Sequence, residues 1–266
     1  MDLGRGRELD PALGRVGVSA LELPPLPDNV LTDPEAGRVN PRLWFPHPER
    51  PFEIEIGTGK GGFILAHAQA HPELNILGIE REGSIWAYAA DRVRRRGLTN
   101  VRMLHADGVE FLRWRCPSAC VRTLHLYYSD PWPKTKHHKN RVVQHRFLSE
   151  AWRVLEPGGE LRVATDHEGL WRWCRERFEV WTVAEAYRRW WEGGRRDLIR
   201  AVPEGACPAP GAQAPFRMEA FTPPDWVEEG ELVGTNYERK FRRDEGHHAC
   251  VLRKVSSGGC SGDGNR

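Results

Sequence analysis

The alternation of short apolar runs with helix-forming stretches between residues 52 and 178 constrains this chain most. Phe52-Glu53-Ile54-Glu55-Ile56 alternates and runs into a glycine cluster, Gly57-Thr58-Gly59-Lys60-Gly61-Gly62, the pattern of a strand and its turn. A helix is expected over 63–70, stopped by Pro72. Further strands are expected over 75–80, 101–104, 121–128 and 160–165, and helices over 84–96, 109–114, 144–155 and 170–178. This order predicts an α/β fold whose sheet is mostly parallel, with helices on both faces. Two last strands, over 231–240 and 247–254 and antiparallel to each other, would bring the sheet to seven.

The flanks differ in composition. Residues 1–50 have no sustained period and many Pro, Gly and Arg residues, so an irregular arm is expected there. Residues 51–255 form the folded domain, with an Ala/Pro/Gly-rich loop over 201–215. The Ser/Gly-rich tail 256–266 is expected to be disordered. With 39 basic and 37 acidic residues the net charge is +2, so any case for nucleic acid rests on local patches. No window reaches the roughly 18 uninterrupted apolar residues of a spanning helix. Met1-Asp2-Leu3-Gly4-Arg5 lacks the apolar core of a signal peptide, and six cysteines do not make a disulfide scaffold. The expectation is a soluble, cytoplasmic protein that does not engage a membrane. Cys116 and Cys120 lack two further ligands, and neighbouring His247 and His248 would face opposite ways in a strand, so no metal site is expected. Most of the 11 tryptophans, Trp171, Trp173, Trp181, Trp190 and Trp191 among them, suit helix packing.

Gly57, Gly59 and Gly62 satisfy G-x-G-x-x-G, and Glu80 ends the next strand. This places a ribose-binding carboxylate beside a turn that lets a cofactor approach the backbone. A tight turn without a ligand is the plain alternative. Glu55, two residues before Gly57, suits an ammonium better than a pyrophosphate. Asp107, after the third strand, could accept from an adenine amino group. Glu55, Glu80 and Asp107 together make an acidic trough. It favours S-adenosylmethionine, which has an ammonium, a ribose and an adenine but no phosphate, over a nicotinamide cofactor.

The fourth strand leads into Tyr128-Ser129-Asp130-Pro131-Trp132-Pro133-Lys134. Two prolines fix this backbone at the carboxyl edge, where open α/β sheets bind ligands. Asp130 is then a rigidly placed carboxylate and Trp132 a stacking surface, unless the loop only packs. Lys134, Lys136, His137, His138, Lys139, Asn140, Arg141, His145 and Arg146 follow, with no acid between Asp130 and Glu150. Phosphate recognition is the natural use of such a run beside a site; a solvated face is the bland one. The separate run from Arg92 to Arg96 ends a helix and reads as solvated surface or dipole compensation.

These stretches, in their order and spacing, resemble the bacterial tRNA (guanine-N7-)-methyltransferases over roughly residues 52–254. The resemblance is carried by Glu55 to Gly61, Leu77-Gly78-Ile79-Glu80, Asp130 to Lys134 with Lys136 to Arg141, Ala164-Thr165-Asp166, and Gly234-Thr235-Asn236-Tyr237-Glu238-Arg239-Lys240. It implies a Rossmann-like class I methyltransferase fold and methyl transfer from S-adenosylmethionine to N7 of a guanine in the tRNA variable loop. It also implies cofactor roles for Glu55, Gly57, Gly59, Glu80, Asp107 and Asp130. Lys134, Asp166, Thr235, Asn236, Tyr237 and Glu238 would be substrate residues, and Lys136, His137, His138, Lys139, Asn140 and Arg141 would contact RNA. The chain departs from the family's usual pattern: Thr58 replaces an aromatic residue, Tyr128-Ser129 replaces Phe-Pro or Phe-Ser, Asn236 replaces a lysine, and the 201–215 loop is an addition.

Guanine N7 carries a free lone pair, so the reaction needs alignment and a favourable field more than a general base. Asp166 could accept from guanine N1–H and the exocyclic amine. Asp130, the residue assigned to catalysis, could orient the base or stabilise the forming cation. The rivals are a methyltransferase of this fold with another RNA or an amino substrate, a nicotinamide-dependent oxidoreductase, and an RNA-binding module without activity. Monomer and homodimer both remain open.

Overall fold

The computed structural model describes residues 6–193, 207–235, 238–240 and 246–255. One sheet holds eight strands: β1 Gly17–Ser19, β2 Phe52–Ile56, β3 Asn75–Glu80, β4 Val101–His105, β5 Val121–Tyr127, β6 Leu155–Thr165, β7 Phe216–Ala220 and β8 His248–Lys254. Their spatial order is β1-β4-β3-β2-β5-β6-β8-β7. The pairs from β1 to β6 are parallel, and β8 runs antiparallel to both β6 and β7. The helices are α1 Gly62–Ala70, α2 Gly83–Arg95, α3 Gly108–Trp114, α4 His145–Val154, α5 Glu168–Thr182 and α6 Ala184–Glu192. This is the expected α/β architecture with a mostly parallel sheet.

Both faces are covered, so the strands must satisfy two interiors at once. Phe52, Ile54, Ile56, Leu77 and Ile79 pack with Phe111, Phe147, Phe178 and Trp181 from α3, α4 and α5. Ile76, Val101 and Met103 pack on the other face with Ile64 and Leu65 of α1 and Ala89, Ala90 and Val93 of α2. Full burial of each large aliphatic or aromatic side chain contributes about 1.5–3 kcal/mol. β2 is buried at all five positions, so Glu53 and Glu55 lie inside the molecule.

Several expectations need correction. The penultimate strand is Phe216–Ala220, paired with β8 from Phe216↔Lys254 to Ala220↔Cys250, and not residues 231–240. Residues 231–235 are irregular and Glu238–Lys240 is a single 3-10 turn. The cause is local: Gly230 and Gly234 hold φ of 84° and 66°, and Glu238 takes the amides that a ladder would need. The sheet has an eighth strand because Gly17–Ser19 pairs with Met103–His105. The arm therefore contributes to the sheet: Val16 is buried, and a Cβ on Gly17 would lie 2.8 Å from the Pro11 carbonyl oxygen. Helix α6 was not expected; Tyr187 and Trp190 bury it against Trp181. Residues 207–215 of the 201–215 loop are irregular, as expected, while residues 201–206 and all of the 256–266 tail fall outside the described residues.

Candidate active site

Chain order and sheet order together create a crevice. From β2 the chain moves outward through β3 to β4, then returns to the other side of β2 for β5 and β6. β2 and β5 therefore flank a topological switch point, where ligands bind beyond the carboxyl ends. The acidic residues picked out in sequence stand at those ends: Asp107 after β4, Glu80 ending β3, Glu55 near the end of β2, Asp130 after β5 and Asp166 after β6.

The glycine turn gives the trough its floor. Gly57, Gly59 and Gly61 have φ of 76°, 52° and 74°, a region that side chains rarely adopt. Nothing lies within 4 Å of the Cβ positions of Gly57 and Gly59, so the loop leaves room for a ligand against the backbone. Glu80 is held by the loop, accepting from the Gly59 amide at 2.9 Å and the Glu82 amide at 2.9 Å. Asp107 caps α3: its Oδ1 accepts from the Val109 amide at 2.9 Å and the Glu110 amide at 3.2 Å. Its Oδ2 faces Arg81 at 3.8 Å and remains partly exposed.

Glu55 has the most unusual environment. Its side chain is buried, and Oε2 has no hydrogen-bond partner. Burial and the nearby Glu80 push its carboxyl up to about 8, against a hydrogen bond from the Ile64 amide. An orphaned buried carboxylate oxygen beside an open glycine cradle fits a cofactor carrying an ammonium. It does not fit one presenting phosphate there.

The Asp130 loop is held under strain. Tyr128 and Trp132 adopt φ of 50° and 43°, and such residues cost of order 1–3 kcal/mol each. Arg141 sustains this loop. Its Nε donates to the Pro131 carbonyl at 2.9 Å, Nη2 to Trp132 at 3.4 Å and Nη1 to Gly169 at 3.2 Å. The guanidinium also lies over the Trp173 ring, 5.1 Å from its centroid. Gly169 lies in the first turn of α5, three residues after Asp166, so one side chain ties the Asp130 loop to the Asp166 segment. Tyr128 is anchored from the far side, its hydroxyl 3.2 Å from His247 Nδ1. Asp130 is exposed and Asp166 half-buried.

The basic stretch forms a 3-10 turn, Thr135–Asn140, beside this loop. Lys134, Lys136, Lys139 and Asn140 are exposed, while His137 and His138 turn partly inward against Trp132 and Trp173. The late loop folds over Trp226. Thr235 Oγ1 accepts from the Glu238 amide at 3.0 Å. The Glu238 carboxylate accepts from the amides of Leu232, Val233 (3.0 Å) and Gly234 (2.9 Å).

The sequence also matches known proteins. The family model Methyltransf_4, described as "Putative methyltransferase", covers residues 49–193. A tRNA (guanine-N(7)-)-methyltransferase of Geobacillus kaustophilus is 32% identical over 200 residues, 74% of this chain and 91% of that protein. The chain belongs to the tRNA (guanine-N7)-methyltransferase family. A second member, from Levilactobacillus brevis, is 40% identical over 146 residues, 55% of this chain and 67% of its own. Among solved structures, a 30S ribosomal A1408 methyltransferase from an uncultured bacterium aligns with a TM-score of 0.46 at 11% identity, over 77% of this chain and 88% of that one.

Two residues expected at the substrate are committed elsewhere. Arg141, expected to contact RNA, is buried and its guanidinium is spent on three backbone carbonyls. Glu238, expected to contact the substrate, is buried and saturated by backbone amides. Asn236 and Tyr237 lie outside the described residues. Thr58, where the family has an aromatic residue, is buried; its Cγ2 would lie 2.7 Å from a Cβ on Gly78, so β3 is met there by a small side chain. Cys116 and Cys120 lie 3.7 Å apart, and among the described residues no histidine or carboxylate joins them as a third ligand. His247 and His248 go to separate partners, Tyr128 and Glu168.

Sequence reasoning missed a buried polar cluster on the α1 side of the sheet. Glu53 Oε2 lies 3.0 Å from His67 Nε2 and 2.8 Å from His125 Nε2. The available signal was a Glu in a parallel strand buried on both faces, which demands a partner. A cavity of about 540 Å³ borders this cluster at the amino ends of the strands, away from the glycine trough.

Proposed function

We propose that this protein transfers the methyl group of S-adenosylmethionine to N7 of a guanine in the variable loop of tRNA. The observation that carries the reading is the placement of Glu55, Glu80, Asp107, Asp130 and Asp166 at the carboxyl ends of adjacent strands around one switch point. Glu55 would take the cofactor ammonium, Glu80 the ribose hydroxyls, and Asp107 the adenine amine through Oδ2, the oxygen not used in capping α3. The bound cofactor supplies an electrophilic methyl group on a sulfonium. No proton must leave guanine N7 before attack, so the chain's task is alignment and charge. Asp130 presents a carboxylate where the purine becomes a cation, on a loop whose strain is maintained by Arg141. Asp166 would accept from guanine N1–H and the exocyclic amine, a donor pair that adenine lacks. Lys134, Lys136 and Lys139 supply phosphate contacts beside the site. Thr235 borders it from the late loop.

The test is transfer from labelled S-adenosylmethionine to unmodified tRNA, followed by nucleoside analysis and mapping. The expected product is 7-methylguanosine in the variable loop. Cofactor binding without that product would overturn the substrate and leave the trough standing. No helix among the described residues is long and apolar enough to cross a membrane.

A further inference from the structure

Glu53, His67 and His125 offer one carboxylate and two imidazole nitrogens within 4.8 Å of one another, a donor set that could hold a divalent metal ion. Their outer hydrogen bonds decide against it. Trp226 Nε1 lies 3.0 Å from His67 Nδ1. An indole N–H can only donate, so His67 Nδ1 must accept. The ring proton is then on Nε2, which donates to Glu53 Oε2. A metal on Nε2 would move that proton to Nδ1 and set it against the indole N–H. The carboxylate fixes His125. Glu53 can only accept, so His125 Nε2 donates to it at 2.8 Å and Nδ1 accepts from the Tyr127 hydroxyl at 2.9 Å. That hydroxyl in turn accepts from Arg162 Nε at 3.4 Å. Every proton has one place, and Glu53 is the common acceptor. Burial alone would raise the Glu53 carboxyl, but the His125 and His67 hydrogen bonds outweigh it and hold it well below the usual range.

The cluster leads toward the active site. Trp226 also lies against Phe63, with ring centroids 5.7 Å apart and the planes tilted by 48°. Gly234 sits against the indole so closely that a Cβ there would lie 2.8 Å from Trp226 Cζ3 and 2.9 Å from Val227 Cγ1. Thr235 follows directly. Val233 is buried with Phe63, Tyr127 and Ala164 at the ends of β5 and β6. A continuous path of contacts thus joins Glu53 on β2, His67 on α1, the Trp226 ring and the loop that carries Thr235.

We propose that Glu53, His67 and Trp226 form a proton-ordered relay that sets the position of the 232–235 loop, making them positioning residues for docking of the target base. This inference rests on the guanine-methylating role given above only for its kinetic readout. Trp226→Phe keeps the ring system's apolar bulk in part and removes the N–H. Losing that bond is expected to speed amide exchange over residues 232–235 about fivefold. The KM for tRNA should rise by a similar factor, with cofactor affinity and kcat at saturating tRNA retained. His67→Gln carries one acceptor and one donor on a single amide and should restore values near wild type, whereas His67→Leu should not. Exchange and KM unchanged in Trp226→Phe would overturn the relay. So would stoichiometric zinc in the purified full chain that His67→Gln loses, since a metal needs the other tautomer. If wild-type protein transfers no methyl to tRNA, the functional reading fails, and amide exchange still decides the relay. If His67→Leu does not fold, Trp226→Phe and His67→Gln carry the test.

Discussion

At the scale of the single residue, Arg141 separates what a charge run says from what it does. Its sequence neighbours Lys139 and Asn140 are exposed, yet Arg141 is buried and grips three carbonyls. A lysine cannot reproduce that fork, because its ammonium is a point charge on a flexible stem. Arg141→Lys should therefore lower single-turnover methyl transfer by about tenfold or more. Cofactor affinity should hold, and the salt dependence of tRNA binding should match wild type. Single-turnover transfer unchanged at saturating tRNA, with tRNA binding weakened, would return Arg141 to the RNA surface. The trough carboxylates were legible in sequence because each closes a strand, and strand ends in a parallel sheet converge. Arg141, Glu238 and the Glu53 cluster were not. Which way a polar side chain faces depends on partners far along the chain, such as Gly169 for Arg141 and Trp226 for His67.

At the scale of the element, strands and helices with a strong local pattern were legible from Phe52 to Phe178, and the glycine turn marked the crevice. β1 and β7 were not, because three- and five-residue edge strands are defined by the neighbour they pair with. The 231–240 segment misled because its apolar residues suggest a strand, whereas Glu238 captures the amides of residues 232–234. Glu238→Ala should leave those amides short of partners and cost about 2–3 kcal/mol or more of stability, read from denaturant midpoints. An effect on activity at unchanged stability would instead place Glu238 at the substrate. The 3-10 turn over Thr135–Asn140 makes a separate prediction. If Lys136 and Lys139 each neutralise a phosphate, replacing both with alanine should reduce the log–log salt slope of tRNA binding by about 1.4–1.8. An unchanged slope would take this turn off the RNA path.

At the scale of the whole molecule, net charge is only +2, so the protein as a body offers little long-range attraction for RNA, and stability and ligand binding meet in the trough. Glu55 couples them. Its carboxyl is pushed up to about 8 in the folded protein, against an ordinary value near 4.5. Between those values the folded chain holds a proton that the unfolded chain has released. Unfolding then loses protons, so this group makes the cofactor-free protein less stable as pH rises from about 4.5 to 8. A ligand ammonium beside Glu55 favours the carboxylate, removes that penalty and releases the proton on binding. The rise in Tm produced by S-adenosylhomocysteine should therefore be larger at pH 7 than at pH 5. The trend should level off above about pH 8, where the Glu55 carboxyl of the cofactor-free protein has already lost its proton. Calorimetry in buffers of different ionisation enthalpy should detect the released proton at pH 7. Glu55→Gln should flatten its contribution to the pH profile of the cofactor-free protein, abolish the proton release and weaken binding. A ligand-induced Tm rise that is independent of pH in wild type, with no proton released, would mean that the ammonium sits elsewhere and that Glu55 is only a buried strand residue.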